Sequence, residues 1–168
     1  MDSIIQGIAI YALPVIFAIT LHEAAHGYAA KHFGDFTAHN EGRISLNPIR
    51  HIDPVGTILV PLSLFIISKI TMGAGFLFGW AKPVPVNFSN LRHPKRDMLW
   101  VAVAGPSANL LMAILWAIVI KLAIAVPESN LAKPAVLMGI AGIEINIILM
   151  VLNLLPLPPL DGGRMAVS

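Results

Sequence analysis

Long apolar segments constrain this chain more than any other feature of its sequence. They run from Ile4 to Leu21, from Val55 to Trp80, from Met98 to Val126 and from Pro134 to about Leu155, and each approaches or exceeds the ~20 residues of a membrane-crossing helix. Of the 168 residues, 57% are hydrophobic and only 12% are charged, against about 25% charged residues in an ordinary soluble domain. Residues 1–168 are therefore predicted to form a single membrane-embedded core without a separate soluble domain.

The predicted fold class is an all-α polytopic membrane protein, a transmembrane helix bundle with two irregular parts. The alternation of Ile44 and Leu46 with polar neighbours predicts a small membrane-associated strand or hairpin. Near the end of the chain, the prolines within residues 156–159 cannot continue an α-helix, and they predict a non-helical segment that presents Asp161 to the site. Irregular backbone at membrane depth is tolerated where it is buried in protein or lines a wet cavity.

The polar sequence HEAAH interrupts the first apolar segment. His22 and His26 are four residues apart, so on an α-helix their imidazoles share one face and can bind a single ion. Glu23 lies beside the first histidine, where a carboxylate could take a proton from a metal-bound water, as in H-E-x-x-H metalloproteases. The alternative is a solvated helix face without a metal, but ionisable residues in an apolar helix are costly and are usually functional or paired.

A catalytic zinc usually has three protein ligands, and the chain has no cysteine to supply one. His32 has the spacing of a longer zinc motif, but that motif needs a glycine where this chain has Ala29, so His32 should lie off the ligand face. Glu144 is an acid within an apolar segment, although an interhelical hydrogen bond explains it equally well. Asp161 is the favoured candidate because prolines and glycines surround it.

Three motifs together resemble the site-2 protease family of intramembrane metalloproteases: HEAAH in the first segment, GPSAN in the third and NLLPLPPLDGG after the fourth. The resemblance implies that His22, His26 and Asp161 bind one Zn²⁺ per chain. It implies that Glu23 activates the zinc-bound water as general base, and that Asn153 positions or polarises the substrate carbonyl. The stretch GWAKPVPVN resembles a compact branch of the family without a PDZ domain. Family members continue beyond LDGG, so the chain ending at Ser168 is expected to be truncated.

Substrate contacts are predicted at two places. Asn109 ends the GPSAN motif, which resembles the family's tight-packing helix beside the site. Ile44, Ser45 and Leu46 form the predicted strand, which could hold an unwound substrate by adding it as a neighbouring strand. An ordinary loop is the alternative for these residues.

The predicted function is hydrolysis of peptide bonds in or near transmembrane segments, with a membrane-anchored protein or peptide as substrate and the lipid bilayer as surroundings. A net charge of +2 does not indicate a nucleic-acid partner, and no pattern indicates an oligomeric state. Two alternatives are a zinc transporter or metal sensor and a catalytically inactive scaffold. The first would not need Glu23 beside a ligand or an aspartate on a distant, proline-broken segment.

The shared metal site also predicts a topology. His22 and Asp161 can meet only if residues 55–85 make no net crossing of the membrane. Most basic residues then fall on one side, which the positive-inside rule makes the cytoplasm: Lys31, Arg43, Arg50, Lys82, Arg92, Lys95, Arg96 and Arg164, with Lys133 on the other side. An integral protein of the cell membrane is predicted, with its N-terminus outside and its active site toward the cytosol.

Overall fold

The computed structural model describes residues 2–72 and 80–168, and it contains no β-strand within them. The helices are α1 (Asp2–His32), α2 (Thr37–Asn40), α3 (Val60–Met72), α4 (Pro94–Ala125), α5 (Ala132–Leu154) and α6 (Asp161–Ala166). Short 3₁₀ turns cover Pro48–His51 and Phe88–Asn90, and a π-helical turn covers Pro54–Leu59. The prediction of an all-helical protein is confirmed for these residues.

Within the part of the chain that the structure describes, three helical stretches are long and apolar enough to cross a membrane: Ala9–His32, Pro94–Ala125 and Ala132–Leu154. Their large hydrophobic side chains mostly point outward, as Leu111 and Ile148 do, while the fully buried side chains include Asn109 and Asn146. A helix bundle with an apolar exterior and a polar interior is suited to lipid, where polar groups must find partners inside the protein. The chain is therefore a membrane protein.

Helices α4 and α5 pack closely as an antiparallel pair. Gly139 of α5 lies against Ile120 of α4, and Gly142 lies against the indole of Trp116, where a Cβ atom would overlap the ring. Small residues let helix backbones approach closely in a membrane, where van der Waals packing drives helix association. Helix α1 packs against both helices of this pair.

The predicted strand at Ile44, Ser45 and Leu46 is wrong, because these residues form an irregular loop after α2. The neighbouring stretch, residues 80–87, runs close by, but the guanidinium of Arg43 donates to its carbonyl groups in place of a backbone ladder. Strands form only when paired backbones exchange hydrogen bonds regularly, and here side chains make those bonds.

The backbone at Gly56 and Thr57 lies beside Trp80. The N–H of Trp80 donates to the carbonyl of Gly56 at 3.0 Å, and the hydroxyl of Thr57 donates to the carbonyl of Trp80 at 2.8 Å. The described residues before and after positions 73–79 are therefore joined at Gly56 and Trp80, and the absence of a net crossing stays a prediction. The glycine-rich end at Gly73–Gly75, which the sequence made part of that path, lies outside the described residues.

The chain turns back on itself between α5 and α6. Residues 155–160 are not helical, and α6 begins directly at Asp161. The backbone of Gly162 lies against the carbonyl groups of Leu154 and Leu155, and a Cβ atom on this glycine would overlap both. This close approach holds Asp161 at the end of the bundle that also contains the HEAAH motif.

Candidate metal centre

Three buried side chains from α1 and α6 converge on one point. The Nε2 atoms of His22 and His26 are 3.1 Å apart, and the Oδ2 atom of Asp161 lies 3.2 Å from the first and 3.1 Å from the second. The three residues are 7%, 4% and 6% exposed. Among the described residues they form the group of potential ligand atoms that could hold a metal ion.

The Nδ1 atom of each histidine, on the side of the ring away from the cluster, is hydrogen-bonded to another residue of the protein. His26 Nδ1 lies 2.7 Å from the carbonyl oxygen of Val101, and His22 Nδ1 lies 2.5 Å from the Oδ1 atom of Asn109. Both partners are acceptors, so each Nδ1 carries the proton and donates it. The proton positions are inferred from these partners. Each Nε2 is then left with a lone pair directed at the cluster.

A buried amide network fixes the orientation of Asn109. Its Nδ2 atom donates to the carbonyl of Ala18 at 3.3 Å and to the Oδ1 atom of Asn146 at 2.9 Å, and Asn146 in turn donates to the carbonyl of Gly142. Because a backbone carbonyl can only accept, the nitrogen of Asn109 must face Ala18 and its oxygen must face His22. The network therefore connects all three crossing helices behind the first ligand.

Gly105 of α4 creates the space in which the two imidazoles lie. A Cβ atom at this position would be 2.6 Å from His22 Cε1 and would overlap the Nε2 atom of His26. Any larger residue would push the histidines away from α4 and from their hydrogen-bond acceptors. The glycine of the GPSAN motif is therefore required by close approach.

The donor set fits a zinc ion. When both imidazoles are neutral and carry their proton on Nδ1, two lone pairs and one carboxylate oxygen face each other at 3.1–3.2 Å. Such an arrangement is unfavourable unless a cation lies among the three atoms, and His and Asp are ordinary zinc ligands. Hydrogen bonds to the outer histidine nitrogens are the usual means of orienting such ligands.

The predicted catalytic residues lie in different places relative to this cluster. Glu23 is half-buried on α1 next to His22, and its Oε2 atom accepts a hydrogen bond from the N–H of Val84 at 2.8 Å. Asn153 is half-buried in the last turn of α5, and its amide donates to the carbonyl of Leu149 in its own helix at 2.9 Å. Asn153 is thus outside the hydrogen-bonded cluster.

The predicted substrate-binding residues divide into two groups. Asn109 is fully buried, and it contacts His22 instead of an open surface. The loop residues lie on the outside of α1, where Ile44 packs near Gly27 and Leu46 is 62% exposed. Ser45 accepts a hydrogen bond from the backbone of the same loop.

The two other candidates for the third ligand lie away from the cluster. His32 is exposed at the end of α1, where its ring contacts Phe33. Glu144 is exposed on the outer face of α5, two residues from the buried Asn146. Neither belongs to the group of converging ligand atoms.

The sequence did not predict the individual roles of three supporting residues, although one of them, Gly105, belongs to the GPSAN motif. Asn146, Val101 and Gly105 support the ligands through hydrogen bonds or close approach. A buried asparagine within an apolar helix is a detectable signal, since a polar group in lipid needs a partner. The acceptor role of Val101 has no sequence signal, because every residue carries a backbone carbonyl.

Comparison with known proteins gave relatives along most of the chain. A Bacillus subtilis protein named "Putative zinc metalloprotease YwhC" is 41% identical over 157 residues, which cover 90% of this chain and 65% of that protein. Proteins named "Putative zinc metalloprotease Rip2" from Mycolicibacterium smegmatis and Mycobacterium tuberculosis are 28% and 31% identical, and each match covers 88% of this chain and 52% of the relative. The chain thus spans between half and two thirds of the length of these relatives. No family model and no solved structure matches it.

The fold and the cluster define a membrane protein with two buried histidines and one buried aspartate that could hold a metal ion. The chain is similar over most of its length to relatives named "Putative zinc metalloprotease", in agreement with the resemblance to the site-2 protease family. Zn²⁺ is the metal that the names of the relatives imply, and His22, His26 and Asp161 are the site that fits it.

Proposed function

We propose that this chain is the core of an intramembrane zinc metalloprotease that hydrolyses peptide bonds in or near the transmembrane segments of membrane-anchored proteins or peptides. The observation that carries the proposal is the depth of the metal cluster. His22 lies ten residues before the end of α1 at His32, which is about 15 Å along a helix axis. The hydrocarbon layer is about 30 Å thick, so a site at this depth reaches bonds that lie inside the membrane.

His22, His26 and Asp161 would hold the zinc through the atoms that converge in the cluster. When bound, Zn²⁺ lowers the pKa of a water molecule toward ~7 and polarises a carbonyl group. The protein supplies the orientation: Val101 and Asn109 keep both Nε2 lone pairs directed inward. Small displacements of ligands are costly in catalysis, so this support belongs to the mechanism.

Glu23 is proposed as the general base. Its carboxylate follows His22 directly in α1, so it lies about 100° around the helix from the first ligand and at nearly the same height. In the proposed reaction it takes a proton from the attacking water and delivers it to the nitrogen of the leaving amine. The scissile C–N bond breaks, and the products are a new carboxyl group and a new amino group.

Substrate binding is proposed along the outer side of α1. A groove of about 340 Å³ lies between α1 and α4, and Leu46 lines one edge of it. The wall is apolar and includes small residues such as Ala24, Ala25 and Ala108, which suits the apolar side chains of a membrane segment. Ile44 and Ser45 lie next to this edge, and Asn153 is proposed to position the carbonyl of the bond that is cut.

The orientation in the cell membrane is also a proposal. Ala9 and Ile10 at one end of α1 lie beside Lys133, the basic residue assigned to the outer side, and the other basic loops lie at the end with the metal cluster. The positive-inside rule then directs the site toward the cytosol. The chain has no native cysteine, so single cysteines introduced at Asn40 and Asn130 can be labelled from each side. Labelling of both positions from the same side would contradict this orientation.

The test of the function uses a panel of single-pass transmembrane helices as substrates for the wild type and for Glu23→Gln in reconstituted vesicles. We expect the wild type to cut at least one helix within or near its apolar segment. Glu23→Gln should keep one zinc per chain and lose cleavage by at least a thousandfold, since it removes the base and keeps the ligands. Full activity in Glu23→Gln would contradict the mechanism. Zinc uptake without cleavage would favour a transporter, and bound zinc with neither activity would favour a scaffold.

A further inference from the structure

Residues 80–87, which we call the strap, lie along α1 on the side of Glu23 and are fastened at both ends. At one end the N–H of Trp80 donates to the carbonyl of Gly56 at 3.0 Å. At the other end the N–H of Asn87 donates to the carboxylate of Asp35 at 2.6 Å. The strap has no regular secondary structure of its own, so these bonds determine its path.

The centre of the strap touches the proposed general base. The N–H of Val84 donates to Glu23 Oε2 at 2.8 Å, and the valine side chain is 4% exposed. Pro83 and Pro85 flank it, and a proline has no N–H to donate. Val84 therefore supplies the one backbone donor of these three residues, and that donor is directed at the carboxylate.

Arg43 holds the opposite side of the same peptide group. Its Nη2 atom donates to the carbonyl of Pro83 at 3.2 Å and to the carbonyl of Lys82 at 3.0 Å. The Pro83 carbonyl and the Val84 N–H belong to one planar peptide unit, in which the two groups point in opposite directions. A cationic group on the oxygen side and a carboxylate on the nitrogen side polarise that unit in the same sense, which strengthens both hydrogen bonds.

We propose that the Pro83–Val84 peptide group, held by Arg43, is a positioning element that fixes the carboxylate of Glu23 for proton transfer. The inference rests on the proposed role of Glu23. The bond to the strap engages Oε2 and leaves Oε1, which makes no hydrogen bond within the described residues, as the oxygen that takes the proton. A base held in one orientation needs no rearrangement before each reaction, and misplacement by about 1 Å can cost a hundredfold in rate.

The same contact would have the opposite effect if the strap held Glu23 away from the reacting atoms. Loosening the strap would then raise the rate. The experiment below therefore distinguishes a positioning contact from an inhibitory one by the sign of the change in kcat.

The principal variant is Val84→Pro, which removes the N–H and keeps φ in the range of an extended segment. Its matched control is Val86→Pro, which makes the same change two residues further along the strap, where the described structure shows no hydrogen bond from the N–H to Glu23. Cleavage is measured on the panel helix that the wild type cuts fastest. We expect kcat to fall about 10- to 100-fold in Val84→Pro, with KM within about twofold and one zinc per chain. Val86→Pro should stay within about threefold of the wild type.

An equal kcat in Val84→Pro and Val86→Pro would overturn the proposal, and so would a higher kcat in Val84→Pro. If Val84→Pro does not fold and loses zinc, the variants Arg43→Gln and Arg43→Lys test the proposal instead. Arg43→Gln should keep zinc and lose about tenfold in kcat, and Arg43→Lys should restore part of that loss because it keeps a cation beside the carbonyl groups. Equal kcat values in these two variants would also overturn the proposal.

Glu23→Gln is measured in parallel. Activity in Glu23→Gln refutes the proposed function, whereas an inactive Glu23→Gln with a fully active Val84→Pro refutes only the proposed role of the strap.

Discussion

Asp35 and Asp161 are both buried carboxylates, but their surroundings are opposite. Asp35 faces donors: the hydroxyl and N–H of Thr37, the N–H of Asn87 and the amide of Asn90. Asp161 faces the Nε2 atoms of two histidines whose protons lie on the far side of each ring. Donors of the protein satisfy the first carboxylate, whereas the second faces two histidine nitrogens with which it could hold a metal ion.

This difference separates a structural group from a functional one. Burial of a charge is costly unless hydrogen bonds or a counter-ion compensate it. At Asp35 the compensation joins the end of α1 to the strap, so the carboxylate maintains the fold. At Asp161 we propose that a bound ion supplies the compensation, while the hydrogen bonds from α4 and α5 orient the His22 imidazole beside it.

The largest effect is expected when the space for the imidazoles is filled. Gly105→Ala would place a methyl group against His22 and His26, so we expect loss of at least nine tenths of the bound zinc and of activity. Gly142→Ala is the matched control, because its methyl group would meet the indole of Trp116 and no ligand. This control should lower the melting temperature and still bind one zinc per folded chain. Equal zinc loss in both variants would mean that packing alone explains the effect.

A smaller effect is expected from the hydrogen bond behind the first ligand. Asn109→Ala removes the acceptor of His22 Nδ1, and loss of such a partner typically lowers metal affinity 10- to 100-fold. Competition with a zinc chelator measures this change. Asn153→Ala removes a side chain that, among the described residues, bonds to its own helix turn, and it should change zinc affinity by less than threefold. An unchanged affinity in Asn109→Ala would show that the imidazole orients itself without the network.

The smallest effect concerns Asp35 and pH. Burial disfavours its charged form, but the hydrogen bonds from Thr37, Asn87 and Asn90 prevail and lower the pKa of Asp35 below its usual value. Because the native pKa lies below the unfolded one, the carboxylate stabilises the fold above about pH 4 and loses this contribution as the pH falls toward its native pKa. The melting temperature of Asp35→Asn should therefore be several degrees below wild type at pH 7, and the two should converge at lower pH. A constant difference at every pH would contradict this assignment.

The sequence predicted the parts of the site that depend on local patterns. Helical spacing placed His22 and His26 on one face, and the prolines and glycines around Asp161 indicated where the chain could turn back. The sequence also predicted that residues 55–85 make no net membrane crossing, and the hydrogen bond from Trp80 to Gly56 joins two described residues of that stretch. The predicted strand at Ile44–Leu46 was wrong because two alternating hydrophobic residues do not indicate whether a partner backbone is available. In the structure, Arg43 donates to the carbonyl groups of the neighbouring segment.

The supporting contacts could not be predicted, because they join residues far apart in the chain through backbone atoms. His26 bonds to the carbonyl of Val101, and Glu23 accepts from the N–H of Val84. Every residue other than proline carries both a backbone N–H and a carbonyl group. Only the three-dimensional path of the chain therefore determines that Val101 and Val84 make these contacts. The PVPV sequence does carry a signal for the contact with Glu23, since its prolines have no N–H and leave few backbone donors in this segment.

The most direct test of the metal site compares the two buried carboxylates under the same isosteric change. Zinc affinity is measured by chelator competition on the purified wild type, Asp161→Asn and Asp35→Asn. We expect Asp161→Asn to lose at least a hundredfold in zinc affinity, because the charged ligand is gone, and Asp35→Asn to stay within about threefold of the wild type. Wild-type zinc affinity in Asp161→Asn would contradict the account, since Asp161 would then not be a ligand.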